Sequence, residues 1–222
     1  SARVNIPSKQ PVVTYAIIGL TVVVFILQSL VETFTSTDLL FVYGGKINPL
    51  IEAGQFWRLI TPILLHGSIL HIALNMYALY ILGRRMERFY GHGRFLLLYL
   101  LSGFAGNVLS FVLTSSPSLG ASTAIFGLFS AEGIFIIQNR KLFGSARTRQ
   151  ALTNLGIILI INLAYGFAPG SNIDIMGHLG GLLGGVFFAW KGGPILRVAG
   201  QPPFYDMVDT RKNKDVLTAS LF

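Results

Sequence analysis

Three polar residues able to take part in acyl transfer lie within otherwise apolar stretches of the sequence. Ser122 follows Gly120 and Ala121 at the start of one stretch, His178 lies in a glycine-rich stretch, and His71 lies in a third. A serine hydroxyl is a weak nucleophile unless a base takes its proton, and histidine, with an ordinary pKa of about 6.5, suits that task. The pattern predicts a serine nucleophile, Ser122, and a histidine base, His178. The alternative for Ser122 is that it only caps the helix that begins there.

A polar pair in the third stretch could stabilise the negative charge that develops during such a reaction. His71 and Asn75 are spaced so that both project from one face of a helix. With the backbone N–H of Ser122 they would supply donors to an oxyanion. His66 precedes His71 by five residues, so we expect it to project about 140° away from His71 around the helix. The alternative is that these polar groups only join helices to one another by hydrogen bonds.

Two acidic residues lie near these candidates. Asp174 precedes His178 by one helical turn and could orient the imidazole, but a position at the start of a helix is typical of a cap. Glu132 lies about 15 Å from Ser122 along the same helix and is expected to pair with a basic or polar neighbour. No acidic third catalytic member is evident.

Six apolar stretches must position these residues. The chain is 52% hydrophobic and 12% charged, whereas a soluble domain carries about 25% charged residues. A helix needs about 20 apolar residues to span a bilayer, and such runs satisfy their backbone in lipid only as helices. The sequence therefore predicts an all-α integral membrane protein whose six transmembrane helices cover residues 12–30, 59–83, 95–113, 121–138, 150–168 and 175–190.

The positive charges indicate the direction of these helices. Of the 17 lysines and arginines, all but Lys46 and Arg58 fall on one side of the six-helix arrangement. The positive-inside rule then places both termini in the cytoplasm. The basic charge is thus explained by topology, and no nucleic-acid partner is predicted. His71, Ser122 and His178 would all lie near the outer surface.

The chain divides into three parts by composition. Residues 1–11 form a cytoplasmic N-terminal segment, residues 12–191 form the membrane domain with an outer loop at 31–58, and residues 192–222 form a cytoplasmic, flexible tail. The chain has no cysteine, which excludes disulfides and a cysteine nucleophile. No zinc-protease motif is present either, and no metal site is predicted.

Five ordered motifs resemble those of the rhomboid intramembrane serine proteases, and together they extend over nearly the whole of the six stretches. The motifs are Trp57-Arg58, His66-x4-His71-x3-Asn75, Gly83-x3-Glu87-x3-Gly91, Gly120-Ala121-Ser122 and Gly177-His178-Leu179-Gly180-Gly181.

The resemblance implies a rhomboid-type six-helix bundle with a water-accessible cavity that opens outward. It assigns Ser122 as the nucleophile and His178 as the base of a dyad without an acidic member. It assigns the oxyanion hole to His71, Asn75 and the Ser122 N–H. Gly120 would shape the turn before the serine.

The resemblance also implies supporting residues and partners. Phe126 would pack against the catalytic histidine, His66 belongs to the same motif as His71, and Trp57-Arg58 would mark a membrane-embedded outer loop. No metal or organic cofactor is needed. Substrates would be single-span proteins with small or helix-breaking residues near the cut. The membrane is expected to be a prokaryotic plasma membrane, and the residues indicate no oligomeric state.

One residue departs from the resemblance, and two other functions compete with it. Thr123 stands where the family most often has glycine, and its branched side chain could crowd the helix that carries His178. One alternative is a catalytically inactive rhomboid-like protein that binds membrane proteins. The other is a transporter or channel, which would use intramembrane histidines as a proton path.

Overall fold

The computed structural model describes residues 3–5, 10–166, 171, 173–201 and 204–221, and most of these residues are helical. Two short 3-10 segments, Phe56–Leu59 and Thr61–Leu64, precede the fourth helix. The other elements, in chain order, are β1 (Arg3–Asn5), α1 (Val12–Thr35), α2 (Leu39–Gly44), α3 (Asn48–Glu52), α4 (Ile69–Tyr90), α5 (His92–Leu113), α6 (Ser122–Gln138), α7 (Arg140–Phe143), α8 (Ser145–Gly166), α9 (Ile175–Gly192), β2 (Leu196–Gln201), β3 (Phe204–Asp209) and α10 (Asn213–Leu221).

Helix α9 packs tightly against both α5 and α6, and its glycines make this possible. A Cβ atom on Gly180 would lie 2.6 Å from the Ala105 carbonyl oxygen of α5, and a Cβ on Gly181 would overlap the Thr123 carbonyl oxygen of α6. Small residues let two helix backbones approach closely. The glycine-rich sequence of α9 therefore sets the distance between the helix of His178 and the helix of Ser122.

Among the described residues, two helices, α1 and α5, are both long and apolar enough to cross a membrane. The six-span arrangement stays a prediction. Helices α1, α4 and α8 also expose many large apolar side chains, as expected of surfaces that meet lipid rather than water. Examples are Phe34, Ile69, Leu70, Tyr77, Ile160 and Ile161.

Helix α4 begins at Ile69 and not at residue 59, where the apolar stretch begins. Pro62 lies in the first turn of the preceding 3-10 segment, which ends at Leu64. Ser68 then caps α4, because its hydroxyl accepts a hydrogen bond from the His71 N–H at 3.1 Å. The difference places His66 outside the helix.

The outer loop is folded around Arg58. This side chain is 1% exposed, and its guanidinium donates to the Gly45 carbonyl at 2.8 Å and to the Val42 carbonyl at 2.7 Å. The neighbouring Trp57 indole N–H donates to the Tyr43 carbonyl at 3.0 Å. Both residues thus bind carbonyls at the end of α2, which gives the Trp57-Arg58 motif a structural role.

Glu87 caps the first turn of α1. Its carboxylate accepts from the Val13 N–H at 2.9 Å, the Thr14 N–H at 2.8 Å and the Thr14 hydroxyl at 2.6 Å, and it contacts His92 Nδ1. Pro11, at the N-cap position, has no side-chain group that could do this.

The segment for which the sequence predicts a flexible tail contains secondary structure. Strands β2 and β3 pair antiparallel, β1 pairs parallel with β3, and α10 packs against α9. Arg94 of α5 donates to the Asp209 carboxylate. The Asn139 side-chain oxygen accepts a hydrogen bond from the Leu196 N–H at 2.7 Å. The chain is therefore mostly helical rather than all-α. Residues 204–208 contain two aromatic residues and one valine, which favour a strand.

Candidate active site

Ser122 is the first residue of α6, and the turn before it depends on glycine. Gly120 has φ of +130°, a backbone conformation that residues with a side chain rarely adopt. A Cβ there would also lie 2.9 Å from Nε2 of His71. The Gly120 N–H donates to the Pro62 carbonyl at 2.9 Å, which fastens the turn to the 3-10 segment before α4. Ser122 is thus presented at a helix N-terminus with His71 beside its turn.

His178 lies in the first turns of α9 and faces Ser122. Its Nε2 is 2.9 Å from the Ser122 hydroxyl oxygen, a normal hydrogen-bond distance. When Nδ1 carries the ring proton, Nε2 accepts the hydrogen bond from the hydroxyl. The imidazole is 8% exposed and stacks on Phe126, with ring centroids 4.1 Å apart and an interplanar angle of 15°. Phe126 therefore holds the ring plane in the orientation that reaches the serine.

Asp174 is the N-cap of α9, so the prediction of a capping role is confirmed. One carboxylate oxygen accepts from the Gly177 N–H at 2.8 Å, and the other accepts from the Ser110 hydroxyl at 2.5 Å. These bonds anchor the N-terminal end of α9 to α5 and engage both oxygens of the carboxylate. Ser110 was not among the predicted site residues, although a polar residue within an apolar stretch is a signal for such a role.

The remaining polar candidates gather on the other side of the serine turn. The His66 and His71 rings are 5.0 Å apart in an edge-on arrangement. The Asn75 amide donates to the His71 carbonyl at 3.1 Å, which uses one of its two N–H bonds. His71 and Asn75 thus lie on one face of α4, and the His71 ring lies close to the turn that contains Gly120. Their role as oxyanion donors stays a prediction.

The expectation that His66 points about 140° away from His71 is wrong. It assumed a continuous helix, whereas His66 precedes α4 and is free of helical geometry. Its side chain is buried, and its Nε2 accepts from the Ala121 N–H at 3.4 Å. His66 therefore supports the turn that leads into Ser122.

Thr123 of α6 packs against α5 and α9, and each of these two helices has a glycine at the contact. A Cβ on Gly106 of α5 would lie 2.7 Å from the Thr123 Cβ, and one on Gly177 of α9 would lie 3.0 Å from its Cγ2. The branched side chain occupies the space that these glycines leave, so α9 still brings His178 to Ser122. The Thr123 hydroxyl oxygen is buried and has no hydrogen-bond partner within the described part of the chain.

Glu132 lies further along α6 and pairs with a basic residue, as the sequence analysis expects. Arg85 of α4 approaches the two Glu132 oxygens at 2.8 and 3.1 Å. These two contacts join α4 to α6, so the Glu132 carboxylate has a structural role.

Comparison with known proteins places these residues in a family. A sequence description of the Rhomboid domain matches residues 53–195. The chain is 47% identical to Rhomboid protease GluP of Bacillus subtilis (strain 168) over 81% of this chain and 34% of that protein. It is 38% identical to RHOMBOID-like protein 5 of Arabidopsis thaliana over 74% and 54% of the two chains. With Putative rhomboid protease YdcA of Bacillus subtilis (strain 168) it shares 34% identity over 63% and 69%. The chain therefore spans only part of the length of each relative.

Proposed function

The chain belongs to the rhomboid family, and from this premise we propose that it is an intramembrane serine endopeptidase. It hydrolyses peptide bonds in or near transmembrane segments of other membrane proteins. The observation that carries the proposal is the 2.9 Å approach of His178 Nε2 to the Ser122 hydroxyl, with the imidazole stacked on Phe126. The names of two relatives, Rhomboid protease GluP and Putative rhomboid protease YdcA, support it.

The first half of the proposed reaction forms an acyl-enzyme. Ser122 Oγ attacks the scissile carbonyl carbon while His178 Nε2 takes the hydroxyl proton. The C–N bond then breaks as His178 returns that proton to the leaving amine. In the second half a water molecule gives a proton to His178 and attacks the ester. The acid is released, and the proton returns to Ser122 Oγ.

Donors for the developing oxyanion are available around the serine. The first N–H groups of a helix have no partner within that helix, and the Ser122 N–H is the first of α6. His71 lies against the neighbouring Gly120, and Asn75 retains a second amide N–H one turn further along α4. The positive end of the α6 dipole favours the same charge. We assign the oxyanion hole to these three residues.

The residues of the proposed site lie at a similar depth in the membrane. His71, Ser122 and His178 each lie in the first turns of their helices α4, α6 and α9. With the termini in the cytoplasm, as the positive charges indicate, these three ends lie near the outer surface. We propose that α1, α4, α5, α6, α8 and α9 span the bilayer. The membrane is the plasma membrane of a prokaryote, and two of the relatives come from Bacillus subtilis.

Cleavage in proteoliposomes tests this proposal. The full chain is reconstituted with a single-span substrate, beside Ser122→Ala and His178→Ala. Ser29→Ala is a matched control, because the Ser29 hydroxyl is exposed and donates only to its own helix, at the Phe25 carbonyl. We expect cleavage by the parent and by Ser29→Ala, and background cleavage by the other two. Cleavage by Ser122→Ala at the parent rate would refute the mechanism, and an inert parent would favour a binding role.

A further inference from the structure

Lys46 is a buried cation outside the proposed catalytic machinery. It lies in the outer loop, between α2 and α3, and is 0% exposed. Its ammonium group donates to the Thr114 carbonyl at 3.1 Å, the Thr114 hydroxyl at 3.2 Å and the Ser116 carbonyl at 2.9 Å. A buried charge is costly unless it is well bonded, and these three acceptors match its three N–H bonds. All three belong to the loop between α5 and α6, which leads to the serine.

The backbone of Lys46 binds the same loop. Its N–H donates to the Ser118 carbonyl at 3.0 Å, and the Ser118 N–H donates back to the Lys46 carbonyl at 3.0 Å. This short antiparallel bridge lies four residues before Ser122 in the chain. Beyond it, the Gly120 N–H binds the Pro62 carbonyl, and α6 begins. Lys46 thus binds the loop that precedes Ser122 through both its side chain and its backbone.

A second path of contacts leads from Lys46 toward the histidine. The Thr114 hydroxyl, which Lys46 binds, lies 3.5 Å from the Ser110 hydroxyl, the longest link of the path. Ser110 donates to the Asp174 carboxylate at 2.5 Å, and Asp174 caps α9. The His178 N–H in turn donates to the Asp174 carbonyl at 3.0 Å. Lys46 is therefore connected by hydrogen bonds to the N-terminal ends of both α6 and α9, the helices that carry the proposed dyad.

We propose that Lys46 is a positioning residue for the proposed hydrolysis, holding the Ser122 turn and the His178 helix in register at the outer surface. The inference rests on the proposed function. Lys46 does not touch the reacting atoms and acts through Thr114, Ser118 and Asp174. Misplacement of reacting groups by about 1 Å can slow a reaction roughly 100-fold, so a small shift of either end is measurable.

The test compares Lys46→Met, which keeps the length but loses the donors, with Lys46→Arg, which keeps a cation. Lys141→Met is the matched control, because Lys141 is exposed. For each full-length variant, kcat and KM are measured with the single-span substrate in proteoliposomes. The labelling rate of Ser122 by a fluorophosphonate is measured as well. In that reaction Oγ forms a bond to phosphorus, the P–F bond breaks, fluoride leaves and the proton passes to His178.

We expect Lys46→Met to lower kcat and the labelling rate by roughly 10- to 100-fold with KM little changed. Lys46→Arg should recover part of the loss, and Lys141→Met should match the parent. A purely structural lysine would lower the unfolding temperature while the folded fraction kept the parent labelling rate. That result would overturn the positioning role.

If Lys46→Met does not fold, Thr114→Val decides the question. This variant keeps the two carbonyl acceptors of Lys46 and removes the hydroxyl that links it to Ser110. A lower kcat supports the inference, and an unchanged kcat overturns the part of it that couples Lys46 to the His178 helix. A parent enzyme that neither cleaves nor labels defeats the proposed function and the inference with it. An active parent whose Lys46→Met variant is equally active defeats only the inference.

Discussion

Replacing Gly181 by alanine should separate the two members of the dyad. Gly181 lies on α9 against α6, and an added Cβ would fall well inside 3.0 Å of the Thr123 carbonyl oxygen, closer than real Cβ contacts allow. That oxygen belongs to the backbone of α6, so the helices must separate, by on the order of 1 Å. The distance from His178 to Ser122 would then grow beyond hydrogen-bond range from its present 2.9 Å.

Gly181→Ala should lower both kcat and the free energy of unfolding. A misplacement of this size predicts a loss of about 100-fold in kcat, and overpacking of a filled interior costs about 1–3 kcal/mol. The assay is cleavage in proteoliposomes together with fluorophosphonate labelling of Ser122 and thermal unfolding. Gly19→Ala on α1 is the control, because a Cβ there meets nothing within 4 Å. Labelling of Gly181→Ala within about twofold of the parent would refute the argument that this glycine sets the dyad distance.

Three further changes have definite expected results. Phe126→Ala removes the surface on which the imidazole stacks and should lower kcat by about tenfold with KM little changed, whereas an unchanged kcat would show that the stack does not hold the ring. Thr123→Val replaces the buried, unpartnered hydroxyl by a methyl group of similar shape. It should leave the unfolding temperature equal or higher, and a fall of several degrees would indicate a hidden partner. Glu87→Gln keeps the shape of the side chain but removes the charge of a carboxylate that accepts three hydrogen bonds at the start of α1. Its unfolding temperature should be lower than that of the parent, because hydrogen bonds to a charged group are stronger than those to a neutral one, and an equal unfolding temperature would contradict this.

Much of the proposed site could be predicted because its residues are unusual for their surroundings. Ser122, His71 and His178 are polar groups in apolar stretches, and such groups are costly enough to point to function. The cap at Asp174 followed from its position at the start of a helix. These signals are local, so a single sequence contains them.

Other features depend on contacts between distant parts of the chain. The start of α4 was missed because apolar composition continues through the 3-10 segments, where only Pro62 and the Ser68 cap mark the boundary. The bridge from Lys46 to the serine loop joins residues about seventy positions apart, and nothing near Lys46 in the sequence indicates it. The glycines that make room for Thr123 lie on two other helices.

The serine–histidine dyad can be tested by mapping the residue that a fluorophosphonate labels. The full chain in proteoliposomes is treated with the probe, digested and analysed by mass spectrometry, beside His178→Ala. We expect a single adduct on Ser122 in the parent. In His178→Ala the labelling rate should fall by roughly 10²- to 10⁴-fold, because the general base is lost. An adduct on a different serine, or labelling of His178→Ala at the parent rate, would contradict the serine–histidine dyad.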